Sequence, residues 1–463
     1  MRHAFSAARC LGTLAALAAA SCSSYSDYVA DARADYRAGA YGASDEKLSE
    51  LVDDEDSYQH FYLLERGVVR LAMADAKRSE KLFARAQERM DEIGPSTALD
   101  WMGAMFLDDT SLANAGADYE QVLVRAMLAL ANLMGDGRDA KAYANAILRK
   151  QLELREAFGT GGVEGQSNPK LNTKLVGFGS YLQGIMAEEE AMKRTEARAF
   201  FEEVRQHEPR YAGIEDDLAR VTDGQYAPPG YGVVYVLTLT GLGPMRLEGE
   251  EPVSSTAFLL AQVVWQILRD RAVLPNLTAI KIPVLSFERS NPECVDVRVN
   301  GDSAGFTQTV TDVEEVAQAE FEAMKDWIIA RAIMRRFFKI GVTEASKEIA
   351  NQSGDPWVDI GISVLGMVWT GMEVTDTRSW SFLPARFQTK RLELPEGVHE
   401  LELRAVHGGN ASGAPQRVRV RVLAGQNTYV VALTPTISGG PPPLSSRPVD
   451  EPAVPILDSE NPS

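Results

Sequence analysis

The hydrophobic period of the chain changes near residue 223, and that change constrains the fold more than any other feature. From residue 27 to residue 223, Ala, Leu, Glu and Arg recur at helical spacing; from residue 231, β-branched residues alternate with polar ones. Between the two stands D-G-Q-Y-A-P-P-G-Y-G at 223–232, too rich in Gly and Pro to continue either pattern. Helices followed by strands define an α+β chain. The expected layout is a helical domain at 22–222, a linker at 223–231 and a mixed, β-rich domain at 232–436 that ends in antiparallel strands. Beyond it, 437–463 is rich in Pro and carries too little apolar surface to offset ordering entropy, so a disordered tail is expected there.

A weak repeat runs through the helical half. Leu64, Gly67, Ser79, Phe83 and Ala86 follow the small-residue spacing of a tetratricopeptide repeat, in which small side chains let two antiparallel helices approach closely. Leu182, Gly184, Ala197, Phe201 and Val204 repeat the scheme with one extra residue, and Pro209 stands where the second helix should break. Tyr119 to Leu152 and the Y-R-A-G-A-Y-G-A-S run at 36–44 read as two further hairpins. Hairpins at similar intervals predict an α-solenoid of tetratricopeptide-like units.

In the second half, 232–240, 278–287, 391–394, 399–406 and the paired runs around 416–434 read as strands. C-V-D-V-R-V at 294–299 runs into Asn300-Gly301, a pair that accepts the positive φ angles of a tight hairpin. Alternation at 417–422 puts Val418, Val420 and Val422 on one face and three arginines on the other, as expected of a solvated sheet face. A long helix is expected from the capping-box-like Thr311-Asp312-Val313-Glu314, with acid at its start and Arg331, Arg335, Arg336 and Lys339 at its end, in keeping with the helix dipole. The apolar segments Thr256–Leu268 and Ile360–Met372 are too short to span a bilayer and read as core helices.

The first 21 residues read as a secretory signal. Arg2, His3 and Arg9 precede an apolar run from Cys10 to Ala20. The ending A-A-S-C resembles a bacterial lipobox, with Ala19 standing where Leu is usual, and makes Cys22 the expected lipid attachment site. Ordinary signal cleavage near the same place is the alternative. Several acyl chains give stable membrane anchoring where one does not. Ser23 after the cysteine, in place of a retention Asp, directs the expectation to the periplasmic face of the outer membrane.

Chemistry is harder to find. After Cys22 only Cys294 remains, and the histidines His60, His207, His399 and His407 lie in separate segments without metal-ligand spacing. The acidic clusters at 53–56 and 188–190 lack the spaced ligands of a calcium loop. The Gly-rich loop at 158–169 lacks the Gly-Lys-Ser/Thr ending of a phosphate loop. No metal or cofactor is expected, and no catalytic residue stands out. With 47 Lys+Arg against 65 Asp+Glu, the net charge of −18 excludes a nucleic-acid surface built on clustered bases. Most of that excess lies on the helical half, which suits a protein partner of basic character.

G-S-Y-L-Q-G-I-M-A-E-E at 179–189, G-L-G-P-M-R-L-E at 241–248, I-A-R-A-I-M-R-R-F-F-K at 329–339 and T-D-T-R-S-W-S-F-L-P at 375–384 together resemble a family of uncharacterised bacterial lipoproteins. The resemblance implies a tetratricopeptide-like N-terminal half, a β-rich C-terminal domain and an envelope location, but no active site. Asp376, Arg378 and Trp380 are its foremost candidate interaction residues, with buried-turn structure as the competing explanation. The expected function is a non-catalytic, membrane-anchored periplasmic scaffold that binds envelope proteins through its helical repeats. An accessory role in cell-wall synthesis or surface-polymer export, and an unrecognised hydrolase, are the alternatives.

Overall fold

The structure is a computed structural model that describes residues 25–53, 58–94, 114–159, 167–224, 226–269, 279–353 and 375–449. The signal segment, Cys22 and Ile360–Met372 lie outside the described residues. Among the described residues nine α-helices come first: α1 Tyr25–Arg37, α2 Tyr41–Asp53, α3 Gln59–Ala72, α4 Ala76–Ile93, α5 Asp118–Met134, α6 Ala140–Gly159, α7 Phe178–Glu188, α8 Arg194–His207 and α9 Ile214–Asp223. Each packs mainly on its neighbours in the chain. Gly39, at φ +80°, turns α1 into α2, and the Asp75 carboxylate caps α4 by accepting the Arg78 amide at 3.2 Å.

The small positions read from the sequence are contact points between helices. A Cβ built at Gly67 would lie 2.5 Å from the Phe83 ring, and one at Gly184 would lie 2.7 Å from Phe201. Ser79 Oγ donates to the Gly67 carbonyl at 2.7 Å, and Ser44 Oγ donates to the Ala32 carbonyl at 2.8 Å in the preceding hairpin.

The described residues of the second half build three sheets from β1 Tyr231–Thr240, β2 Met245–Pro252, β3 Ala279–Ser286, β4 Cys294–Val299, β5 Asp302–Phe306, β6 Gln308–Asp312, β7 Arg386–Pro395, β8 Gly397–His407, β9 Asn410–Val422, β10 Asn427–Thr434 and β11 Leu444–Ser445. The five-stranded sheet has the order β11-β10-β1-β7-β6, the four-stranded one β5-β4-β8-β9, and β2 pairs with β3. At the centre, β1 runs parallel to β10 and antiparallel to β7. It is buried on both faces, which explains its continuous apolar run. Val233, Tyr235, Leu237 and Leu239 face the helices, while Val234 and Val236 meet Val295, Leu401, Leu403 and Val420 of the four-stranded sheet. The result is three layers: helices, five-stranded sheet, four-stranded sheet.

Several expectations need revision against this architecture. The main apolar core crosses the expected domain boundary: Tyr36 stacks on Phe382 with centroids 4.9 Å apart, and Phe178 lies 4.8 Å from Phe387. The expected linker is packed too, with Tyr226 Oη donating to Asn427 Oδ1 at 2.6 Å. The expected disordered tail begins too early. Residues 437–449 fold back along β10, with β11 pairing to it, Gln416 Nε2 donating to the Pro441 carbonyl at 2.6 Å and the Arg421 amide to the Arg447 carbonyl. The physical reason is that the free edge of β10 and the neighbouring strand β9 supply partners that the tail's composition cannot reveal. Residues 450–463 lie outside the described part.

The long helix α11, Val313–Ser353, is capped by Asp312, whose Oδ1 accepts the Glu315 amide at 3.2 Å, while the Thr311 hydroxyl is turned to Glu208. Because the helix continues to Ser353, Arg331 and Arg335 stand in its middle and not at its end, so the dipole does not account for them. α10 Ser255–Arg269 packs with α11 and β3 in a separate apolar cluster. Among the described residues no helix is long and apolar enough to cross a membrane. The Asn300-Gly301 hairpin forms as expected, with φ of 51° and 92°. The arginine row of β9 faces solvent, Arg417 and Arg419 standing opposite Glu402 and Glu400 of β8.

The close approach of α3 and α4 has a measurable consequence. Alanine is favoured over glycine inside a helix by about 1 kcal/mol. A methyl at 67, however, would overlap the fully buried Phe83 ring, and such overpacking costs about 1–3 kcal/mol. Gly67→Ala is therefore expected to lower the urea midpoint with little change in slope; an unchanged or raised midpoint would contradict this packing.

Candidate functional site

The segment Thr375–Leu383 runs without regular structure between the helical layer and the sheet, so its backbone polar groups need partners from elsewhere. Two helix-borne carboxylates supply them. Glu65 of α3, fully buried, accepts the Ser381 amide and hydroxyl, each at 2.8 Å, and the Phe382 amide at 2.9 Å. Tyr25 Oη donates to it as well, at 3.1 Å. Glu120 of α5 accepts the Trp380 amide and the Ala117 amide, both at 2.7 Å. Burial raises the pKa of both acids, that of Glu65 to about 7, against the lowering effect of these hydrogen bonds.

Asp376 and Arg378 form a two-pronged ion pair, with Nε to Oδ1 at 2.8 Å and Nη2 to Oδ2 at 2.7 Å. Asn114 Nδ2 donates to Asp376 at 2.6 Å, and the Asn114 carbonyl accepts from His60 Nε2 at 2.7 Å. Burial alone would raise the Asp376 pKa; the bonded Arg378 guanidinium, with Arg246 beyond it, holds it below the usual carboxylate range. The guanidinium of Arg378 also lies 5.7 Å over the Tyr58 ring.

Beside this pair opens a cavity of about 230 Å³. Arg246 of β2, Arg331 and Arg335 of α11, Lys170, Glu320 and the Asp376–Arg378 pair line it, together with Ile282, Leu285, Phe321, Met324 and Ile328. Lys170 is paired with Asp118 at 2.7 Å. Glu320 accepts the first amides of α5, from Asp118 and Tyr119, at 2.9 and 3.0 Å, and burial raises its pKa to about 7. Among the described residues no group of three or more His, Cys, Asp and Glu side chains is arranged to hold a metal ion.

The structure thus brings Asp376 and Arg378 to the cavity and separates Trp380 from them. Trp380 is fully buried in the main core, 5.7 Å from Phe83. Cys22 lies outside the described residues. Sequence reasoning missed Glu65, Glu120, Arg246, Glu320 and the role of Arg331 and Arg335. Glu65 left a readable signal, a single acid on the apolar face of F-Y-L-L-E-R-G-V-V. Arg246 left none, being one of several charges on a half-exposed strand.

No protein-family model matches the chain, and no curated protein or solved structure has detectable similarity to it.

The raised Glu65 pKa fixes a sign. A carboxyl whose folded pKa lies above its unfolded value of about 4.5 supports folding fully below that value, and this support is lost as pH rises through the folded pKa near 7. Removing one acceptor from buried amides costs about 1–3 kcal/mol for each group left unpaired. Glu65→Ala should therefore destabilise strongly at every pH. Glu65→Gln should flatten the fall in stability between pH 5 and 8, leaving the share due to Glu320 and to the other buried acids whose pKa is raised. Urea unfolding of the two variants at both pH values tests this, and an unaltered pH slope in Glu65→Gln would refute it.

Proposed function

We propose that the protein is a lipid-anchored lipoprotein on the periplasmic face of the outer membrane, attached through Cys22, and a non-catalytic scaffold that binds other envelope proteins. In this reading the helical layer is an α-solenoid of tetratricopeptide-like hairpins. The observation that carries it is a repeated bond. Ser44 Oγ to Ala32 O and Ser79 Oγ to Gly67 O join equivalent points of two successive hairpins, 35 residues apart, close to the ~34-residue period of such repeats. Packing of each helix on its chain neighbours supports the same reading. Membership in the lipoprotein family named above, and an envelope partner of basic character for the acidic helical half, belong to this proposal.

A non-catalytic role is supported by how the charged groups near the candidate residues are used. Glu65 and Glu120 hold backbone amides, Asp376 is ion-paired, and Trp380 is close-packed.

Two measurements test the proposal. Cys22→Ala should move the protein from the membrane to the soluble periplasmic fraction; persistent membrane association would sink the anchoring reading. Photo-crosslinkers at the exposed helical-layer positions Leu171 and Met192 should capture one recurring envelope protein in living cells. Failure at both positions with the lipid anchor intact would overturn the scaffold reading.

A further inference from the structure

The cavity beside Asp376 and Arg378 combines three features that a purely structural void does not need. The first is guanidinium density: Arg246, Arg331 and Arg335 enter it from two elements, β2 and α11. Each guanidinium carries five N–H donors, so it can bond an incoming anion while retaining its existing partners. Among the described lining residues the acids are already engaged, Asp376 by Arg378, Asp118 by Lys170, and Glu320 by two amides of α5. Glu120 balances part of the Arg246 charge from behind the wall.

The second feature is an apolar wall formed by Ile282, Leu285, Phe321, Met324 and Ile328. The third is an orphan acceptor. Gln121, only 4% exposed, lines the cavity and donates through Nε2 to the Gly116 carbonyl, but its buried Oε1 has no hydrogen-bond partner. A buried acceptor without a partner costs about 1–3 kcal/mol, and a side-chain shift that turns Oε1 to a ligand N–H in the cavity would remove that cost. Size narrows the choice. At about 230 Å³ the cavity exceeds the ~150 Å³ that holds a benzene ring and falls short of the ~300 Å³ at which drug-sized pockets begin.

We propose that this cavity binds a small amphiphilic carboxylate bearing an adjacent N–H, of the size of one acylated apolar amino acid. The carboxylate meets the arginines, the N–H meets Gln121 Oε1, and the side chain lies on the Met324 wall. A free N-acyl amino acid and the C-terminal residue of a peptide share this chemistry. The inference goes beyond the scaffold reading and holds whether or not the helices recruit a partner.

Calorimetric titration of the full mature protein with N-acetyl-leucine, N-acetyl-leucinamide and an N-acetylated Ala-Ala-Leu tripeptide tests it. N-acetyl-leucine or the tripeptide should bind at least roughly tenfold more tightly than the uncharged amide, which retains the N–H and the side chain but loses the charged bonds. Tripeptide binding as tight as that of N-acetyl-leucine assigns the site to peptide termini; binding of N-acetyl-leucine alone assigns it to the free compound. Arg331→Gln should weaken either acid by a similar factor. The Met324 methyl NMR signal of the unmutated protein, assigned with Met324→Leu, should shift on titration and report the site even if the arginine variant folds poorly. Equal affinity for acid and amide, or a Met324 signal that does not move with saturating acid, would overturn the proposal.

Discussion

Buried glutamates of the helical layer hold that layer to everything that follows it in the chain. Glu65 grips Ser381 and Phe382, and Glu120 grips Trp380. Glu188 meets Tyr235 Oη and Arg220, while Glu208 takes the Gly177 amide and the Thr311 hydroxyl. Glu65, Glu120 and Glu208 take backbone amides, while Glu188 takes the Tyr235 hydroxyl of the central strand and the guanidinium of Arg220. A carboxylate so placed accepts several bonds at once, at the cost of its own desolvation, and burial raises the pKa of all four. The apolar contacts, Tyr36 on Phe382 and Phe83 beside Trp380, supply the driving force; the carboxylates fix which atoms meet.

This division of labour explains what could be read in advance. Helix, strand and hairpin positions follow from short-range periodicity, so α3, α4, β1 and the Asn300-Gly301 turn were legible from their residues. Gly67 and Gly184 were legible as contacts because only a missing side chain explains a glycine repeated at that spacing within helices. The shared core was not legible, since nothing local in Phe382 or Phe387 records that a helix lies above it. Asp376 and Arg378 were singled out within the T-D-T-R-S-W run that carries the family resemblance, but Arg246, Arg331 and Arg335 join them only through tertiary packing. The tail at 437–449 was misread because edge pairing depends on the neighbour, β10, and not on the tail's own composition.

The long helix α11 shows how one element takes on two tasks. Its first turns seat Val313 and Val316 in the main core. Further along, Trp327, Ile329 and Ile333 pack into the second cluster with α10 and β3, while Arg331 and Arg335 are carried to the cavity on the intervening turns. Charge and apolar surface alternate along one rod, which is why the cavity has a polar and an apolar side.

The parallel pairing of β1 with β10 carries a consequence for how the molecule comes to be folded. β1 is made at residues 231–240, yet its two neighbours are β7 at 386–395 and β10 at 427–434. Until those segments exist, this apolar strand lacks both of its partners, and the helical layer lacks the cover that Trp380 and Phe382 provide. Such long sequence separation slows closure and prolongs exposure of sticky surface. Closure of the centre thus waits on a strand that lies almost 200 residues further along the chain, and the apolar face of β1 stays exposed until β10 has been made.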